Sequence, residues 1–178
     1  MTKWPSRAAS SQTSSGLAAD TGRSAYLDAL HLLSRRALTV AECRDRLLAR
    51  DHPDDEVDAA VARLLETGGL DDRKLAGAYA RTAVETKGRG RLRVVRELQA
   101  RGVDKDVAGE AVAEVFGEKD ERSLVAKALQ KKLRGRPRPA NAAEYARLYQ
   151  YLMRQGFSPS VVVESLRKLR GTRDDEVE

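Results

Sequence analysis

Nine cationic side chains mark the places where this sequence could bind something. Lys87, Arg89, Arg91, Arg93 and Arg96 fall in one short stretch, Arg101 follows, and Arg134, Arg136 and Arg138 alternate further along. A guanidinium group can hold a phosphate or a carboxylate through two parallel hydrogen bonds, so the clusters suit a nucleic-acid backbone or an acidic protein groove. If a helix begins near Arg89, the i, i+4, i+7 spacing sets Arg89, Arg93 and Arg96 along one ridge, opposite Leu92, Val95 and Leu98. Lys87, Arg91 and Arg101 add charge around it, and only Glu97 offsets them.

Other chemistry is sparsely supplied. The histidines are His31 and His52 and the one cysteine is Cys43, with no ligand spacing among them, so no metal or cofactor is expected. Cys43 sits in a helical run and reads as a small packing residue, in keeping with a reducing compartment. Gly88-Arg89-Gly90 lacks the preceding strand and the Lys-Ser/Thr pair of a phosphate loop, and reads as an inter-helix turn. Asp71 and Asp72 are adjacent at a helix start and point apart, so Asp71 reads as a cap rather than half of a catalytic pair. No catalytic residue is predicted, and the chain reads as a non-enzyme.

The elements that must carry the cations are helices. Hydrophobic residues make up 41% of the chain but aromatics only 4%, which favours helices packed through small side chains over a sheet, and predicts an all-α fold. Tyr26, Ala29, Leu30, Leu33 and Ala37 form a first stripe, and Thr39 with Glu42 has the spacing of a capping box that opens a second helix to about Arg50. Beyond Pro53, Asp54 or Asp55 can start a third helix burying Val57, Val61, Leu64 and Leu65. Gly68 to Asp71 ends it and caps a helix with Leu75, Ala78, Tyr79 and Thr82 on one face; the glycines at 88 and 90 separate that helix from the one bearing Leu92, Val95 and Leu98. Leu124, Val125, Ala128, Leu129 and Leu133 form a later helix, Pro137 and Pro139 a connection, and Tyr145, Leu148, Tyr149 and Leu152 the next core stripe.

Three copies of one plan emerge. Nine residues after Leu48, Leu98 and Leu152 stand Val57, Val107 and Val161, and seventeen after them Leu65, Val115 and Leu169. The later copies share Gly102-Val103 and Gly156-Phe157 at a turn, with Asp104 and Ser158 as N-caps. Such offsets predict three tandem three-helix modules in an elongated arrangement, at 24–69, 70–117 and 118–170. Residues 1–23 show no apolar periodicity and are expected to be a disordered arm carrying Trp4, and 171–178 an acidic tail. No apolar run spans a bilayer and no secretion signal is visible, so a cytoplasmic protein, off the membrane and monomeric, is expected. The net charge of +6 is uneven: acidic residues crowd 51–58 and the tail, and none lies between Arg122 and Ala143.

Gly68-Gly69-Leu70-Asp71-Asp72 with Ala76 and Tyr79, then Gly88-Arg89-Gly90, Glu97-Leu98, Arg101-Gly102-Val103 and Tyr151-Leu152-Met153-Arg154-Gln155-Gly156-Phe157 resemble the RecX family of regulatory proteins. The likeness runs over about residues 24 to 170; Leu75 departs from it where members often have an aromatic residue. It implies a non-enzymatic modulator of the RecA recombinase, built from tandem three-helix repeats lying in the groove of the RecA filament on single-stranded DNA. Inhibition of filament growth, ATP hydrolysis, strand exchange and coprotease activity would follow, in recombination, DNA repair and the SOS response. The contrasting reading is a helical DNA-binding protein of helix-turn-helix type, with the helix pairs around Gly102 or Gly156 reading duplex DNA directly.

Overall fold

The computed structural model describes residues 24–117, 120–136 and 138–171. Among them are nine helices and no strand: α1 (Ala25–Leu33), α2 (Val40–Leu48), α3 (Asp54–Glu66), α4 (Asp72–Glu85), α5 (Arg91–Ala100), α6 (Lys105–Gly117), α7 (Glu121–Leu133), α8 (Ala142–Gln155) and α9 (Pro159–Gly171). The expectations for the arm at 1–23, for Pro137 and for the tail from 172 fall outside the described residues.

Local chemistry explains the boundaries. Thr39 and Glu42 form the full capping box at the start of α2, and Asp71 accepts the Lys74 N–H at 2.8 Å to open α4. Asn141 caps α8 in the same way, accepting from Glu144 N at 3.0 Å. Asp104 accepts the N–H groups of Asp106 and Val107 ahead of α6. Ser158 departs from its expected role, since its Oγ and its backbone N–H both donate to Glu121, tying the start of α9 to the start of α7.

Substantial helix packing stays within α1–α3, α4–α6 and α7–α9, and each trio closes its own core. The inward faces differ from the expected ones by a fraction of a turn. On α4 the buried residues are Ala76, Ala80, Ala83 and Val84, while Leu75 and Tyr79 are half-buried and Ala78 and Thr82 exposed. On α5 they are Val94 and Leu98, with Leu92 46% exposed. On α1 they are Ala25 and Ala29, Leu30 is exposed, and Ala37 lies beyond the helix end. Small residues win the inward positions because they let backbones approach closely: the alanines of α4 meet Ala108 and Ala111 of α6.

The repeat is real, but the first copy sits one residue earlier than Leu48. Leu47, Leu98 and Leu152 are each fully buried and each accepts the N–H five residues on, from His52, Val103 and Phe157. Ten residues beyond them stand the buried Val57, Ala108 and Val162, while Leu48 is 38% exposed. In this register the turn positions are Asp51, Gly102 and Gly156, with φ of +62°, +83° and +86°.

Those turns build the joints between modules. At the first, the end of α5 meets the start of α2: Thr39 Oγ1 donates to the Arg101 carbonyl at 2.6 Å, and Arg101 Nε and Nη2 each donate to Glu42 at 2.9 Å. Val40 N–H donates to Asp72 Oδ1 at 3.0 Å, and a Cβ on Gly102 would stand 2.3 Å from the Ala41 Cβ. At the second, the end of α8 meets the start of α5: Gly90 N–H donates to the Gln155 carbonyl at 2.8 Å and Leu92 N–H to the Gly156 carbonyl at 3.0 Å. A Cβ on Gly90 would come within 2.4 Å of the Gly156 backbone, and one on Gly156 within 2.3 Å of Arg93 N. The second joint sets carbonyls left over at a helix C-terminal end against backbone donors left over at an N-terminal end, whereas at the first the Arg101 carbonyl is satisfied by the Thr39 hydroxyl and the Val40 N–H by Asp72. In both the macrodipoles run head to tail.

Candidate functional site

The nine cations divide by what already holds them. Gly90 rather than Arg89 precedes α5, so Arg89 lies before the helix and reaches inward. Its guanidinium donates to Glu97 Oε2 and, at 2.9 Å, to the Tyr79 hydroxyl, which itself donates to Glu97 at 2.8 Å. Arg93 Nε takes the other Glu97 oxygen at 2.9 Å, and its Nη1 donates across the joint to the Arg154 carbonyl at 3.2 Å. Burial opposes charge on Glu97, yet the hydrogen bonds from Arg93 and Tyr79 and the nearby Arg89 hold its pKa below the usual carboxylate value. Burial and the neighbouring Glu97 push the Tyr79 hydroxyl up, so it stays a donor. The expected ridge of Arg89, Arg93 and Arg96 is therefore not a free face, because two of its three members close a network around one carboxylate.

Arg101 is likewise held. Its bidentate pair with Glu42 raises its own pKa and, as the largest influence, lowers that of Glu42. Asp72, the second carboxylate of the Asp-Asp pair, is pushed up by burial despite the bond from Val40, and its place in the joint accounts for it structurally. Arg136 donates to both oxygens of Glu144 at 3.2 Å. Cys43 is fully buried and burial raises its thiol pKa, as befits a packing residue. No helix among the described residues is long and apolar enough to cross a membrane.

Lys87, Arg91, Arg96, Arg134 and Arg138 remain exposed, with no carboxylate partner among the described residues. Lys87 lies 5.8 Å from the centre of the Tyr79 ring, and Arg96 donates only to its own helix at the Leu92 carbonyl. Arg134, in the left-handed conformation that ends α7, lines a basic hollow with Lys131, Lys132, Arg136 and Tyr151, where Lys132 sits 5.2 Å over the Tyr151 ring. Arg138 belongs to a different surface, a groove of about 900 Å³ between α8 and α9 that Arg167 and Arg170 also line. Tyr149 faces that groove and is 38% exposed, so it is not the core residue its spacing suggested. Arg167 and Arg170 went unnoticed in the sequence; their signal was the i+4 and i+7 spacing from Val163.

Comparison with known proteins bears on this arrangement. Family models described as the first, second and third three-helix domains of RecX match residues 25–64, 71–112 and 120–166, one for each module. The regulatory protein RecX of Mycobacterium marinum is 33% identical over 147 residues, covering 82% of this chain and 84% of that one. The chain belongs to the RecX family. The regulatory protein RecX of Geobacillus kaustophilus is 31% identical over 161 residues, covering 90% of this chain, yet the chain spans only 59% of that longer relative. A crystal structure of RecX from Lactobacillus salivarius superposes with a TM-score of 0.70 at 24% identity, covering 82% of this chain and 94% of that one, which shows the shared fold. A second RecX crystal structure superposes with the same TM-score at 27% identity, over 81% of this chain and 71% of its own. The likeness drawn from Leu70-Asp71-Asp72 and Glu97-Leu98 thus rests on residues with identified structural tasks in this RecX chain: Asp72 and Glu97 each secure a joint or the network beside it.

Proposed function

We propose that this protein is a non-enzymatic regulator that binds the RecA filament on single-stranded DNA and inhibits its ATP hydrolysis, strand exchange and coprotease activity. The observation that carries this reading, beside family membership, is the head-to-tail row of middle helices. They have 9, 10 and 14 residues, a contour of about 50 Å at roughly 1.5 Å per residue. A row of that length, with one joint geometry used twice, suits a partner that also presents repeated subunits along a groove. The helix-turn-helix alternative is less well served, because the turns at Gly102 and Gly156, which would have to face duplex DNA, each abut the start of the middle helix of the preceding module.

Within this reading Lys87, Arg91, Arg96, Arg134 and Arg138 make the anionic contacts, while Arg89, Arg93, Arg101 and Arg136 position the surfaces that present them. Single-stranded-DNA-dependent ATP hydrolysis by RecA should fall as the protein is added, and an unchanged rate at saturating protein would refute the proposal. The variant Lys87→Glu, Arg91→Glu, Arg96→Glu should inhibit at least about tenfold less well, each lost phosphate contact also reducing the salt slope of binding by about 0.7 to 0.9. If the contacts are to acidic side chains instead, affinity should drop without that stepwise change in slope.

A further inference from the structure

The α8–α9 groove takes no part in either joint. Tyr149, Val163 and Leu166 give it an apolar floor, with Tyr149 38% and Val163 45% exposed, and Arg138, Arg167 and Arg170 flank it. No acidic residue lines it, and none of the three arginines has a carboxylate partner among the described residues. The cations depart from the repeat. Fifteen residues beyond Leu47, Leu98 and Leu152 stand Ala62, Ala113 and Arg167, and eighteen beyond them Leu65, Phe116 and Arg170, so only the third module places charge at these two positions.

The Tyr145 hydroxyl donates to the Leu169 carbonyl at 3.3 Å, so the start of α8 lies beside the end of α9. Arg138, just ahead of α8, and Arg170 therefore stand at one end of the groove, Leu166 and Arg167 midway, and Tyr149 and Val163 at the other. From Val163 to Arg170 is about 10 Å at roughly 1.5 Å per residue of helix, a length spanned by about three extended residues. Ala142 and Ala146 keep the α8 wall low, which leaves the groove open to a chain. Such a surface matches a short segment with carboxylates at one end and an apolar side chain about three residues away. Single-stranded nucleic acid is the poorer match, because it calls for a row of aromatic faces under successive bases. Tyr145 is half-buried and tied to α9, which leaves Tyr149 as a single stacking face in the groove.

We propose that the α8–α9 groove is a docking site for an acidic peptide segment of a protein partner, with carboxylates on Arg138, Arg167 and Arg170 and an aromatic or aliphatic side chain on Tyr149, Val163 and Leu166. The inference goes beyond the RecA reading and does not depend on it, since its test needs neither RecA nor a filament. The synthetic peptides DDEGF and FGEDD, which present the two chain directions, are titrated into full-length isotope-labelled protein and followed by NMR. At least one should bind and shift the backbone amides of Tyr149, Val163 and Arg167, and replacing its Phe by Ala should weaken binding at least about tenfold. The variant R167A/R170L gives the third module the residues that the first carries as Ala62 and Leu65, so the fold should stand while binding weakens at least about tenfold. Val163→Asp, at an exposed position where the first module has Asp58, should weaken binding to a similar degree by setting a carboxylate in the floor. Groove amides that stay in place with both peptides at millimolar concentration overturn the proposal. Equal binding of the Phe and Ala peptides overturns it as well, since the attraction would then be one of general charge. An oligothymidylate that moves these amides where the peptides do not would make the groove a nucleic-acid site and refute a peptide partner. Groove amides that shift on dilution of the protein alone would put a second copy there and refute it too.

Discussion

The two joints share a plan and differ in what they are made of. At both, the turn that ends a middle helix abuts the start of the middle helix one module earlier. The first joint is held by side chains: Thr39, Glu42 and Asp72 against Arg101 and the Val40 N–H. The second is held mainly by main chain, with the Gly90 and Gly156 backbones in close approach and peptide hydrogen bonds from Gly90 N–H to Gln155 and from Leu92 N–H to Gly156. Backbone contact tolerates no added atom and is indifferent to moderate salt and acid, whereas partly exposed ion pairs yield to both and tolerate small steric adjustment. Modules with cores this small depend on their neighbours for stability, so the contrast should be measurable as separate responses of the two joints.

The largest response is expected from Gly156→Ala. Its Cβ would meet Arg93 N at 2.3 Å in a backbone with φ of +86°, and nothing but backbone movement can relieve the clash. Undocking of the third module should cost roughly 3 kcal/mol, and hydrogen exchange at the Gly90 and Leu92 amides should lose protection while Val40 keeps its own. Gly102→Ala should cost less, because the atom in its way is the Ala41 Cβ, and Ala41→Gly should recover part of the loss. Failure of Ala41→Gly to rescue would show that the first joint is as backbone-limited as the second.

A smaller effect, about 1 kcal/mol, is expected from Arg101→Met, which removes a partly buried ion pair while keeping the hydrophobic stem. Measured by urea denaturation, the loss should shrink in 1 M NaCl, and Gly156→Ala should show no such salt dependence. The smallest response concerns pH. Arg101 and the Thr39 N–H lower the Glu42 pKa below its ordinary 4.5, so its contribution is complete above that value and is lost as pH falls through the lowered one. Asp72, raised by burial, works in the opposite direction and blunts the effect. Exchange at Val40 should accelerate relative to Leu92, after correction for intrinsic rates, as the solution is acidified below about pH 4.5. Equal behaviour of the two amides would erase the distinction between the joints.

Much of this architecture was legible because it is local. Helix caps at Thr39, Asp71 and Asp104 and breaks at the glycines are written within a few residues of where they act. Faces of helices were less legible: Leu92 and Val94 are both apolar, and only the approach of α6 decides that Val94 goes inside. The joints were hidden, since Gly90 and Gly156 stand far apart in sequence and each alone looks like an ordinary turn. The pairing within the cationic ridge was hidden for a related reason. Charge is visible in sequence, but whether Glu97 lies within reach of Arg89 depends on a loop closing back on α5, and one carboxylate so placed occupies two arginines.

Asp51 sets the turn of the first module apart from the other two. A contact that joins the tail of one unit to the head of the next has no built-in stopping point, and surfaces of that kind can add copies indefinitely into fibres. In the first module the turn that would present itself to a further unit carries a Cβ and a carboxylate at φ +62°, where the other two turns are bare glycine. Since a single Cβ at either glycine would already collide with its neighbour, a unit docked here as the other two modules are would meet the Asp51 side chain where they meet bare backbone.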